Sequence, residues 1–193
     1  MTIRLDRITT RTGDSGTTGL ADGRRVAKDH PLIAVIGAVD EANSLLGVAR
    51  LATLPPAVAE ILPGIQNDLF DLGGDLATPE GGPHESRIPR ITGVQVERLD
   101  AWLAVANDHL EPLRSFVIPG GSPAAAWLHL ARTVVRRAER DLVAAQAVDP
   151  ERAWNPHLLH YLNRLSDLCF VWARWANDSG RADVLWSPGA RRN

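Results

Sequence analysis

Thiols are nearly missing from this chain: of 193 residues, one is a cysteine, Cys169. No intrachain disulfide can form, which removes the class of small domains held together by staples and fits a reducing cytoplasm. Aromatic residues are scarce too, at 5%, so there are few platforms on which the bases of a nucleic acid would stack. Charge of one sign is not in excess. With a formal net charge of −2, no global field recruits nucleic acid or an anionic membrane, and any phosphate chemistry has to come from local clusters. No stretch approaches 18 uninterrupted apolar residues, so no membrane-spanning segment is expected. The opening MTIRLDRITTRTG has no apolar run of the kind a secretory signal needs.

Ala and Leu are abundant, and both favour helix. The length suits one domain, residues 1–193. Residues 1–28 lack helical periodicity and carry Gly13, Gly16, Gly19 and Gly23 among Thr, Asp, Arg and Lys, which reads as a structured loop with a turn or a short strand. From Pro31 to about Ala52, Ile33, Ile36, Val39, Leu46 and Val48 recur at helical spacing. A second helix is expected from about Pro56 to Thr78, with Pro63-Gly64 predicting a kink or a break. Thr92 with Gln95 forms a capping box for a third helix carrying Val96, Leu99, Leu103, Ala106 and Leu110. Ser122-Pro123 starts a fourth helix that runs to about Val148, and Asn155-Pro156 starts a fifth that runs to about Asp178, with Gly180 beyond its end. The result is an all-α fold: a bundle of five helices over residues 29–178, a loop before it and a tail, 179–193, after it.

Several polar residues sit oddly for such a bundle. Asp40 follows Ile36 by four and Ile33 by seven, which puts it on the apolar side of the first helix, where a carboxylate needs water at a partly wet edge or a partner such as an arginine from another subunit. The fourth helix, LHLARTVVRRAERDLV, lines up Arg132, Arg136 and Arg140 at i, i+4, i+8, with Glu139 as the one acid among five charges from Arg132 to Arg140. Like charges at that spacing repel. A polyanion relieves the repulsion, and guanidinium forks match phosphate oxygens. The fifth helix carries His160, Asn163, Asp167 and Arg174 along one side, a polar stripe of donors and acceptors that reads as an ordinary solvated face or as part of a site. The loop TRTGDSGTTGL offers free backbone N–H groups and threonine hydroxyls of the sort that cradle phosphates, with Lys28 close behind, although no Gly-Lys-Ser/Thr of a Walker A motif follows. Chemistry alone points to a helical protein that binds a phosphorylated ligand.

Six blocks in order, TRTGDSGT, GRRVAKD, VDEANSLLG, FVIPGGS, LHLARTVVRRAER and NPHLLHYLNRLSD, resemble the PduO-type ATP:corrinoid adenosyltransferases over nearly the whole chain. The resemblance implies a five-helix, ferritin-like up-and-down bundle that assembles as a homotrimer with its sites at subunit interfaces. It implies transfer of the 5′-deoxyadenosyl group of ATP to the cobalt of cob(I)alamin, with triphosphate leaving and Mg²⁺ accompanying the nucleotide. A separate reductase would supply electrons to the cobalt, and an acceptor enzyme would use the adenosylcobalamin. By the same resemblance, Thr10, Arg11, Thr12, Gly13, Thr18, Gly19 and Lys28 hold the phosphates and ribose, and Arg136, Arg137, Glu139, Arg140 and Asn163 complete the ATP site. Asp40 and Arg132 match an intersubunit salt bridge. Phe116 matches an aromatic residue that displaces the lower ligand of the corrinoid, and Trp186 stands where aromatics close the corrinoid pocket. Ala42, Cys169 and Trp172 depart from the family pattern and read as packing changes. No metal site on the protein, no nucleic acid and no membrane are expected. The competing readings are a non-catalytic ATP- or corrinoid-binding bundle acting as sensor or delivery protein, and an RNA-binding bundle using the arginine row. The net charge and the lack of stacking residues beside the arginines argue against the second.

Overall fold

The computed structural model describes residues 9–82 and 85–189, a two-stranded ribbon followed by five α-helices. The first eight residues of the expected loop and the last four of the expected tail lie outside the described residues. The helices begin where local capping chemistry satisfies their free N–H groups. α1 (Pro31–Ala49) has His30 Nδ1 accepting the Leu32 N–H at 3.1 Å. α2 (Pro56–Ala77) opens on Pro55-Pro56. α3 (Gly93–Asn107) has the Thr92–Gln95 capping box complete in both directions. α4 (Pro123–Val148) has Ser122 Oγ accepting the Ala125 N–H at 3.1 Å. α5 (His157–Ala176) starts with Asn155 Oδ1 accepting the His157 N–H at 3.0 Å, and Gly180, at φ +84°, closes its end by donating to the Arg174 carbonyl at 2.8 Å.

Pro63 does not break α2, which runs through it unbroken. Its missing N–H leaves the carbonyl of Ala59 without a helical partner, but Ala59 is exposed, so water can serve that oxygen. The short strand expected in the N-terminal loop is present as half of a ribbon, β1 (Thr17–Gly19) antiparallel to β2 (Arg25–Ala27).

α4 is the central helix. It packs against α1 and α5, while α2 lies on α1 and α3 on α5. Ala131, Val135, Ala138 and Leu142 of α4 are fully buried, with Leu46 of α1, Leu62, Ile65 and Leu72 of α2 and Leu165 of α5; each buried leucine contributes roughly 1.5–3 kcal/mol. Ala42, Cys169 and Trp172 are buried as well, so the departures from the family pattern are core packing. α1 is the one helix among the described residues long and apolar enough to cross a membrane by length and composition, with a mean hydropathy of 1.6 over its 18-residue window. Its inner side is nevertheless core, with Val35, Ala42 and Leu46 fully buried, and Asp40 and Glu41 at its middle would be costly in hydrocarbon.

Two buried carboxylates tie the layers. Asp68 of α2 accepts from the Tyr161 hydroxyl of α5 at 3.0 Å and from Arg98 Nη2 of α3 at 2.5 Å. Burial, and then the Asp68 charge, push the Tyr161 pKa well above the usual phenol value. Asp75, near the end of α2, accepts from Arg90 Nη1 at 2.5 Å, the Ile91 N–H at 3.0 Å and Asn155 Nδ2 at 2.7 Å. It thereby pins the approach to α3 and the start of α5 to one point. Removing one partner of a buried, hydrogen-bonded ion pair strands the other, so Asp75→Ala should lower the unfolding free energy by about 3–5 kcal/mol in urea titrations, and a loss below about 1 kcal/mol would show that the carboxylate does not organise this junction.

Candidate active site

The N-terminal loop is built from consecutive tight turns. The Asp14 N–H donates to the Arg11 carbonyl at 3.3 Å, the Gly16 N–H to Gly13 at 3.2 Å and the Lys28 N–H to Gly16 at 2.9 Å. Arg11 takes φ +59° and Gly16 φ +80°. Arg11 is thus held in the left-handed region, a conformation that costs a non-glycine residue about 1 kcal/mol or more and is common where a loop grips a ligand. Thr10 and Thr12 bring their hydroxyls within 2.9 Å of each other. A Cβ on Gly13 would stand 3.1 Å from the Lys28 ammonium nitrogen, so Lys28 lies across Gly13. Thr10, Arg11, Thr12, Gly13 and Lys28 form one exposed group, with Thr18 and Gly19 continuing into β1.

The arginine face of α4 meets the polar side of α5. Asn163 Nδ2 donates to Glu139 Oε1 at 3.0 Å, and Asn163 Oδ1 accepts from Arg164 Nη1 at 2.7 Å. Arg137 does not join the row. It forms an ion pair with Glu41 of α1. Arg140 Nη1 donates to the Arg136 carbonyl at 3.0 Å. Among the described residues no carboxylate pairs with Arg132, Arg136 or Arg140, and Arg132 Nε is buried without an acceptor. Burial, then the Arg136 charge, push the Arg132 pKa down. Burial raises the pKa of Asp167, one turn beyond Asn163, against the opposing charges of Arg164 and Arg136.

Further along α5 lies an open cavity of about 600 Å³ between α3 and α5, lined by Leu103, Leu113, Asp167, Phe170, Val171 and Arg174 among others. Phe116 and Trp186 come together beyond it, their rings 5.9 Å apart and tilted by 59°. The Trp186 N–H donates to the Phe116 carbonyl at 2.7 Å, the Ser115 hydroxyl to the Trp186 carbonyl at 2.6 Å and the Ile118 N–H to Val184 at 2.8 Å. The C-terminal segment therefore holds Phe116, which remains 77% exposed.

Two expectations need correction. Arg174 does not belong to the solvated stripe of α5: it is 7% exposed, with its Nε 2.7 Å from Asp183 Oδ2 and its Nη2 on the Glu111 carbonyl at 3.0 Å. The tail folds back and buries it. Asp40 does share a side of α1 with Ile33 and Ile36, but that side is an outer one. Asp40 is exposed at an apolar cavity of about 370 Å³ that Ile33, Ile36, Phe70 and Gly73 also line. Within one protomer no hydrogen bond or ion pair among the described residues joins Asp40 to Arg132, or the N-terminal loop to the arginine row.

A model of the cobalamin adenosyltransferase family matches residues 8–176. The chain belongs to the cobalamin adenosyltransferase family. It is 48% identical over 195 residues to a corrinoid adenosyltransferase of Mycobacterium tuberculosis, covering 100% of this chain and 98% of the relative. It is 50% identical over 185 residues to a cobalamin adenosyltransferase of Cupriavidus metallidurans, covering 95% of each. Among solved structures, a variant PduO-type ATP:corrinoid adenosyltransferase from Lactobacillus reuteri, complexed with cobalamin and ATP, superposes with a TM-score of 0.83 at 33% identity, covering 93% of this chain and 99% of that one.

For a member of this family, sequence reasoning missed the junction that carries Phe116. Asn177 Oδ1 accepts the Ser122 N–H at 2.9 Å, Asn177 Nδ2 donates to the Gly120 carbonyl at 3.1 Å and the Ser122 hydroxyl donates to the Ala176 carbonyl at 3.0 Å. Gly121, at φ +99°, leaves room for this: a Cβ there would fall 2.2 Å from Asn177 Oδ1. The Gly-Gly before Ser122 was the available signal, but its partner lies more than fifty residues on. Cys169 is fully buried, and burial pushes its pKa up to about 12, so no thiolate serves as nucleophile.

His129 was also unforeseen. It is 1% exposed, stands edge-on to Phe170 at 6.0 Å, and neither ring nitrogen has a hydrogen-bond partner. Burial, then the Arg132 charge, lower its pKa below the ordinary 6.5. The unfolded chain therefore takes up a proton below about pH 6.5 that the folded protein refuses, and stability falls as the pH drops through that range. His129→Leu should remove this component, so its urea midpoint should decline less than wild type between about pH 7 and pH 5.5; parallel declines would rule out the buried imidazole as their source.

Proposed function

We propose that this chain transfers the 5′-deoxyadenosyl group of ATP to the cobalt of a reduced corrinoid, releasing triphosphate. The observation that carries the reading is the row of Arg132, Arg136 and Arg140 without carboxylate partners, flanked by the Asn163–Glu139 hydrogen bond. Such uncompensated charge suits a polyphosphate. The cobalt electron pair forms the Co–C bond at C5′ as the C5′–O bond breaks, and the leaving pair stays on the triphosphate oxygen. Cobalt(I) is itself a strong nucleophile, so the protein needs no general base. Its work is to align C5′ with the metal and to stabilise the charge growing on the leaving group. Arg136, Glu139, Arg140 and Asn163 fit the nucleotide end, with Arg137, held by Glu41 of α1, flanking it. Asn163 and Phe170 lie on one side of α5 about 10 Å apart along its axis, which suits a site with ATP at one end and the corrinoid over Phe170, Phe116 and Trp186 at the other.

The reading includes a homotrimer in which one protomer's loop (Thr10 to Gly13, Thr18, Gly19 and Lys28) meets another's arginine row, and Asp40 pairs with Arg132 across the seam. The exposed apolar cavity at Ile33 and Phe70, with Asp40 at its edge, supports burial against another copy. Mg²⁺ would supply charge neutralisation on the phosphates, and the paired hydroxyls of Thr10 and Thr12 are hard oxygen donors of the kind it prefers. The reading also includes a cytoplasmic location, a separate reductase for the cobalt and an acceptor enzyme for the product.

The decisive assay mixes the protein with ATP, Mg²⁺ and chemically reduced cobalamin and follows the absorbance change as the Co–C bond forms, together with triphosphate release. Conversion is expected; binding without conversion would leave a sensor or delivery protein instead. In that assay Arg136→Ala should raise KM for ATP or lower turnover by about 10²-fold while the oligomer persists, and wild-type kinetics would remove Arg136 from the nucleotide site.

Phe116 has a different task. Four-coordinate cobalt(II) accepts an electron more easily than five-coordinate, because loss of the axial ligand lowers the acceptor orbital, and an exposed apolar ring can keep that ligand away. Phe116→Ala should therefore slow the reaction begun from cob(II)alamin by a larger factor than the reaction begun from cob(I)alamin, measured side by side. Equal losses would mean that Phe116 merely lines the pocket.

A further inference from the structure

Arg25 opens β2 directly opposite Gly19 of β1, and its side chain runs back along the ribbon toward the nucleotide loop. Its Nη2 donates to the Thr12 carbonyl at 2.7 Å, to Thr17 Oγ1 at 2.9 Å and to the Thr17 carbonyl at 3.2 Å, and its Nε reaches Thr17 Oγ1 at 3.3 Å. A cation beside a proposed phosphate site invites reading as a phosphate ligand. The geometry argues otherwise, because this fork is turned onto main-chain carbonyls and a threonine hydroxyl. Lys28, lying across Gly13, remains as a point charge against the turn.

What the fork does follows from peptide geometry. The peptide joining Thr12 to Gly13 is planar and trans, so its C=O and N–H point in opposite directions. Holding the Thr12 oxygen on Arg25 turns the Gly13 N–H away from Arg25, to the opposite side of the strand. That N–H donates to no backbone carbonyl among the described residues. Beside it stands Arg11 at φ +59°, a conformation that persists only when surrounding contacts hold it. Among the described residues, the Thr12 carbonyl is the main-chain point nearest Arg11 that a side chain grips.

We propose that Arg25 is a positioning residue for the nucleotide loop: bound to the Thr12 and Thr17 carbonyls, it fixes the strained turn at Arg11 and presents the Gly13 N–H to the polyphosphate of ATP. The proposal rests on the nucleotide role of the loop put forward above. It also says why lysine will not substitute. A lysine ammonium ends one bond short of the Nη2 that reaches Thr12 and has no counterpart of the Nε–H on Thr17.

The test is steady-state kinetics on the full-length protein with reduced cobalamin saturating and ATP varied, for wild type, Arg25→Ala, Arg25→Lys and Lys28→Ala. Arg25→Ala should raise KM for ATP about tenfold, with kcat within about threefold of wild type and KM for cobalamin unchanged, because a preorganised cradle adds to binding before it adds to chemistry. Arg25→Lys should behave like Arg25→Ala. The proposal is overturned if Arg25→Ala keeps the wild-type KM for ATP while Lys28→Ala raises it, if Arg25→Ala loses kcat alone, or if Arg25→Lys restores wild-type behaviour. If neither Lys28→Ala nor Arg25→Ala moves KM for ATP, the nucleotide role of the loop falls, and this inference with it.

Discussion

One helix carries two incompatible obligations, and the rest of the molecule is arranged around them. α4 buries Ala131, Val135, Ala138 and Leu142 completely between α1 and α5, while along its edge Arg132, Arg136 and Arg140 gather positive charge that no carboxylate of the described chain answers. The alanines let the neighbouring helices approach closely enough to seal the core, and that same approach partly buries Arg132 while Arg136 and Arg140 stay exposed. Glu139 resolves the conflict locally. By accepting from Asn163, it couples the two helices without neutralising the guanidinium groups on either side of it.

The second organising feature is the knot between the start of α4 and the end of α5. Ser122 donates its N–H to Asn177 and its hydroxyl to the Ala176 carbonyl, beside a glycine that has no room for a side chain, and Arg174 with Asp183 brings the tail back over the same end of the bundle. Phe116 and Trp186 hang from this knot. The aromatic pair therefore has a rigid base and an exposed face, a combination suited to pressing on a large flat ligand. The polar end of the site, by contrast, stands on a small ribbon and tight turns whose geometry is held by side-chain hydrogen bonds to carbonyls.

Much of this was legible in the sequence because it is local. The Thr92–Gln95 box and the Ser122-Pro123 and Asn155-Pro156 starts each settle a helix within four residues, and the arginine row follows from spacing along one helix. What failed was long-range or ambiguous in period. α1 is apolar on two sides, so periodicity put Asp40 beside Ile33 and Ile36 but did not say that Val35, Ala42 and Leu46, on the other side, would take the core. Arg174 looked solvated because nothing within α5 foretells that a tail passing Asp183 will cover it. Three-residue strands are too short for alternation to give their bounds, and Pro63 was tolerated because the carbonyl it orphans faces solvent.

Cys169 has a consequence for the chemistry of the molecule. The chain holds a single thiol. Sealed in the core with its proton held to about pH 12, that sulfur is neither reachable nor nucleophilic. A reagent that modifies accessible thiols therefore finds no target in the folded protein, so labelling of Cys169 reports on opening of the core and on nothing else.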